Sequence, residues 1–100
     1  MPSYRVSVPH DLGQATARAR VETFLEAVQR DYAEHVRNVS GEWEENRLSF
    51  RFVASGLNIT GTLAVEETAV EVSGPLPLMA ALFRGQIEQQ IRGELAKLLS

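Results

Sequence analysis

The sequence predicts an α+β domain: one antiparallel sheet with two helices packed on one face, in the order strand, helix, four strands, helix. Three observations predict it. Between Trp43 and Val72, short runs of alternating apolar and polar residues are separated by turn residues. On either side stands a longer stretch whose apolar residues return at helical spacing. Each of those stretches has a single apolar stripe, and the sheet is the only surface long enough to cover both.

The first strand rests on Tyr4, Val6 and Val8, which alternate with Arg5 and Ser7, and Pro9 ends it by removing a donor. A helix is then expected from Asp11, with Asp11 and Gln14 in capping-box spacing. Its stripe is Ala17, Val21, Phe24, Leu25, Val28, Tyr32 and Val36. That makes roughly 25 residues at about 1.5 Å each, long enough to cross a small sheet. On the far side Arg18, Glu22, Glu26, Arg30 and Glu34 follow one another at intervals of four. Such a run reads as a solvated surface rather than a docking face, because exposed pairs carry little energy.

Val36 to Trp43 is a weaker strand, interrupted by Asn38, Ser40 and Gly41. Glu44-Glu45-Asn46 turns the chain. Leu48, Phe50 and Phe52 alternate with Arg47, Ser49 and Arg51 in the clearest strand of the sequence. After a turn at Ser55-Gly56, residues Leu57, Ile59, Leu63 and Val65 share one face with Gly61, where a crossing helix is expected. Glu66-Glu67 turns again, and Val70 and Val72 continue the core face. Consecutive strands with short turns make an antiparallel meander with one wet face. Gly74-Pro75-Leu76-Pro77 stops the sheet, and one helix is expected from Leu78 to Leu99 with Ala80, Phe83, Ile87, Ile91, Leu95 and Leu98 buried. Glu94 falls inside that stripe and needs a cationic partner or a place beyond the sheet edge. Gly85 and Gly93 cost about 1 kcal/mol each relative to Ala and lie away from the stripe. The first strand pairs most simply with the last, giving the spatial order 1-5-4-3-2. This element order resembles a shortened helix-grip fold of the START type, an analogy that transfers no function.

One hundred residues suit a single domain over 1–100 with one real core. A net charge of −3 leaves no electrostatic footprint for nucleic acid. The absence of cysteine removes disulfides and thiolate chemistry and suits a cytoplasmic setting. No signal peptide is evident, and the longest apolar run, Leu78 to Phe83, is too short to span a bilayer.

Five segments resemble a known family. They are His10-Asp11-Leu12-Gly13, Ala17 to Glu22, Trp43 to Phe50 in the pattern W-x-x-N-R-L-x-F, Gly61 to Val65, and Leu76 to Ile91 with L-F-R-G-x-I-E. In order and spacing they are similar to the small polyhydroxyalkanoic acid system proteins of bacteria. Asn46 departs from the acidic residue of the family pattern. The resemblance carries over no catalytic motif. It implies association with polyhydroxyalkanoate metabolism or granules, in the cytoplasm.

The residues themselves point to no enzyme. His10 and His35 lack metal-ligand spacing, and the better reading of His10 is that it finishes a turn. His35 sits where the helix dipole favours a positive imidazole. Trp43 reads as a core or rim aromatic before a stacking platform. The acidic group Glu42, Glu44 and Glu45 fits no calcium loop. No catalytic residue, cofactor or metal ligand is assigned. The candidate interaction surface is apolar: Leu78 and Leu82 project opposite to Ile87 and Ile91, and Met79 projects sideways. The function expected is a non-enzymatic accessory protein that meets a polyhydroxyalkanoate granule or forms a homodimer through that surface. The alternative is a small acyl- or lipid-binding domain of helix-grip type.

Overall fold

In the computed structural model the elements are β1 (Ser3–Pro9), α1 (Gln14–Asp31), β2 (Val36–Glu44), β3 (Arg47–Ala54), β4 (Leu57–Val65), β5 (Ala69–Pro75), α2 (Leu78–Ala81) and α3 (Arg84–Leu99). The structure describes residues 2–31, 34, 36–54 and 56–100, and of 36, 37, 54 and 57 only the backbone. Tyr32, His35 and Ser55 therefore lie outside the described residues, as do the side chains of Val36 and Leu57.

The five strands form one antiparallel sheet in the order β1-β5-β4-β3-β2, as the alternation predicts. Register aligns the apolar residues into rows. Val8 faces Val70, which faces Val65. The central row runs Val6, Val72, Leu63, Leu48 and Trp43 across all five strands. Side chains alternate between faces along a strand, so these rows share one side of the sheet. Ala17 and Val21 of α1 join them in a single core, together with Leu76, Ala80, Leu95 and Leu99. Both long helices thus pack on the same face. Arg5, Ser7, Ser49, Arg51, Thr62 and Ser73 occupy the other side, which is wet.

A third row contains the sheet glycines. Tyr4 pairs with Gly74, while Gly61 and Gly41 both pair with Phe50. A Cβ at Gly61 would collide with Tyr4 Oη and Phe50 Cζ, and one at Gly74 would come within 2.5 Å of the Thr60 carbonyl. The expected helix over Gly61 is therefore replaced by the Tyr4 ring, which lies across the glycines and donates its hydroxyl to the Thr60 carbonyl at 3.0 Å. The ring fills the space that side chains would otherwise occupy.

α1 starts later than expected. Gly13 has φ +79, which cannot continue a helix, and its carbonyl accepts the N–H of Ala17. Gln14 is consequently the first helical residue, and its side chain donates to the Val65 carbonyl at 2.9 Å instead of completing a capping box. The helix ends at Asp31, not near Val36, because Val36 already pairs with Ala54 in β2. β2 is weak for a visible reason: its register shifts between Arg37 and Ser40, with Asn38 at φ 55. The last helix is broken in two. Phe83 has φ −110 and ψ 19, and its N–H bonds to the Ala80 carbonyl three residues back. Phe83 accordingly leaves the predicted stripe for solvent, and Leu99 takes a place in the core that the periodicity did not assign. Glu94 does find a cation, Lys97 at 3.9 Å.

Burial pushes the Tyr4 phenol from 10.0 up to about 12. A phenol whose folded pKa is raised contributes stability that is complete below pH 10 and lost as pH rises through the folded value. Denaturant unfolding of wild type should therefore weaken from pH 10 to about 12 by more than that of Tyr4→Phe. Parallel losses in the two proteins would show that the Tyr4 hydroxyl is not buried.

Candidate apolar interaction site

Backbone chemistry places α2 at the end of the sheet. Pro75 ends β5, and Leu76 N–H donates to the Pro2 carbonyl at 2.9 Å. Pro77, extended at φ −57 and ψ 149, offers its carbonyl to Ala80 and Ala81. Leu76 and Ala80 are buried and pin the short helix to the core. With about 100° between successive helical residues, anchoring Ala80 inward turns its neighbours out. Leu78 is 80% exposed, Met79 77%, Leu82 85% and Phe83 55%. The three predicted residues are thus brought together, and Phe83 joins them. Phe83 was missed because unbroken helical periodicity places it with Ile87.

The polar candidates resolve into structural roles. His10 is 6% exposed and bridges two loops. Its Nδ1 accepts the Leu12 N–H at 3.2 Å, which leaves the proton on Nε2 to donate to the Glu66 carbonyl at 3.1 Å. Its backbone N–H donates to Thr68 at 2.8 Å. The ring therefore finishes the turn before α1 and ties it to the β4–β5 turn. Trp43 is half-buried and its ring carries the Arg18 guanidinium 4.3 Å from the centroid. Arg18 also pairs with Glu22 at 3.1 Å and donates to the Glu45 carbonyl, strapping α1 to the β2–β3 turn. Arg20 donates to the carbonyls of Leu98 and Ser100 at 3.0 and 2.8 Å, capping α3 from α1. These two arginines are the tertiary ties that sequence periodicity cannot reveal.

Open hollows lie among the described residues. One of about 530 Å³ is lined by Gln14, Glu44, Arg47 and Glu66, and one of about 410 Å³ by Val8, His10, Leu12 and Ala96. Neither touches α2. Among the described residues no three His, Asp or Glu side chains converge on a metal position, and no helix is long and apolar enough to cross a membrane.

A family described as "putative polyhydroxyalkanoic acid system protein" matches residues 5–99. The chain belongs to that family. No curated protein and no solved structure matches it. Membership supports a polyhydroxyalkanoate-associated role.

Replacing His10 by alanine should destabilise the protein by about 1–3 kcal/mol, since it removes two part-buried hydrogen bonds worth about 0.5–1.5 kcal/mol each. Urea unfolding measures this. Wild-type stability for His10→Ala would mean that the ring's two hydrogen bonds contribute nothing to the fold.

Proposed function

We propose that this polyhydroxyalkanoic acid system protein is a non-enzymatic accessory of polyester storage that adsorbs to the granule surface through Leu78, Met79 and Leu82. The observation that supports the reading is the exposure of these side chains, at 77–85%, on a helix whose inward residue is locked in the core. Contiguous apolar surface of this kind marks interaction sites on otherwise polar molecules. Magnitudes favour an extended surface over a small ligand. Burying three such side chains is worth about 5–9 kcal/mol at most. Association costs about 4–15 kcal/mol, so three contacts alone do not hold a tight complex. Adsorption to a granule also engages Phe83 and Pro75, both exposed. The setting is cytoplasmic.

The alternative, an acyl carrier, draws on the half-buried pair Phe50 and Phe52, whose rings stack with centroids 6.1 Å apart on the helix-bearing face. It requires a ligand that survives purification or raises the melting temperature. Native mass spectrometry giving only the apo mass, with no thermal gain from acyl ligands, removes it.

Sedimentation with isolated granules tests the principal reading. Wild type should pellet with granules and Leu82→Glu should stay in the supernatant. Equal partitioning of the two proteins would overturn the proposal.

A further inference from the structure

The two edges of the sheet end differently. At the β1 edge α3 lies alongside, and Glu88 accepts the Arg5 N–H at 2.9 Å. β2 forms the other edge. Its regular part is Ser40 to Glu44, which pairs with Arg51 to Arg47. The register shift between Arg37 and Ser40 ends that part.

The ladder fixes which groups of β2 look outward. The Asn46 carbonyl accepts the Val65 N–H at 2.8 Å, so Asn46 is turned toward β4. Backbone groups alternate in direction along a strand, so Arg47, Ser49 and Arg51 turn toward β2. Their partners there are Glu44, Glu42 and Ser40. Gly41 and Trp43 therefore direct their N–H and C=O groups away from β3, and among the described residues no further strand meets them. Such an edge is a template for one more strand.

Side chains decide which strand fits. Gly41 and Trp43 lie on the helix-bearing side, because they pair with Phe50 and Leu48. Glu42 and Glu44 lie on the wet side, and both are exposed. A second copy of β2 does not fit. Antiparallel pairing of Trp43 with Gly41 of the second copy sets Glu42 against Glu42. Pairing of Trp43 with its own equivalent sets Glu42 against Glu44. Like charges directly opposite each other destabilise a sheet. Centring the pair on Gly41 avoids this but carries Trp43 onto Val39, inside the irregular part of the strand. Charge of one sign on an edge repels its like and selects its opposite.

We infer that the β2 edge accepts an extended segment of another polypeptide, basic and apolar in alternation, as an added antiparallel strand. Its apolar side chains fall beside Trp43 and Gly41, and its basic side chains fall opposite Glu44 and Glu42. Backbone hydrogen bonds to Gly41 and Trp43 hold the register. The α2 patch takes no part in this contact, so strand addition and granule adsorption succeed or fail separately.

An acetylated and amidated five-residue peptide of alternating lysine and valine, beginning with lysine, provides the test. It is titrated into the full chain and read by the backbone amide resonances of Gly41 and Trp43. Both should shift saturably, with a dissociation constant of about 1 mM or tighter. Glu42→Gln/Glu44→Gln should weaken binding about 2- to 30-fold, because two cross-strand charge pairs are lost. The same peptide N-methylated at both valines keeps its charge but loses the donors that face the edge, and should not bind. No saturable shift with the first peptide, equal binding of the N-methylated one, or binding indifferent to Glu42→Gln/Glu44→Gln each overturns strand addition at this edge.

Discussion

Burial on a single face of a twisted sheet constrains everything else in this molecule. The central row from Val6 to Trp43 supplies an apolar strip across all five strands, and two helices must share the room above it. They fit because the neighbouring row is thin: glycines at 61 and 74 leave space that the Tyr4 ring fills, Phe50 reaches over Gly61 as well, and Leu48 lies against Gly41. Large side chains at those glycines would lift the helices or split the sheet. The edge strand β1 is covered in turn by α3, whose Glu88 accepts the Arg5 N–H at 2.9 Å. That contact removes an open donor from the sheet edge.

The same constraint explains why an apolar surface is left over. Once Leu76 and Ala80 plug the end of the core, the chain must change direction so that Ile87, Ile91, Leu95 and Leu99 can run along β1. The break at Phe83 makes that change, and Leu78, Met79, Leu82 and Phe83 are left outside it. Nothing in the core depends on their contacts. A member of the polyhydroxyalkanoic acid system family thus carries an exposed apolar patch beside its core.

Strand order and the shared helix face were legible because a period of two, three tight turns and two apolar stripes admit few topologies. What failed did so locally. Asp11 and Gln14 have capping-box spacing, yet Gly13 in the left-handed region excludes the box, and spacing carries no information about φ. Leu78 to Leu99 is continuous in periodicity, while the break depends on how far Ala80 reaches into a core assembled from distant strands. Gly61 signalled close approach correctly, but whether a helix or the Tyr4 ring makes it depends on register across two other strands. Leu78, Met79 and Leu82 are exposed, and the sequence left open whether the first helix or the Pro75–Pro77 loop covers them. Phe83 was hidden by the same break.

The account holds that fold stability and the apolar surface are separate. Urea unfolding of Leu78→Ser/Met79→Ser/Leu82→Ser, compared with wild type, tests this most directly. The account predicts a change of about 0.5 kcal/mol or less per site, as for surface substitutions generally. A loss above about 2 kcal/mol for the triple variant, at which even one of the three would be costing what a truncated core residue costs, would contradict it.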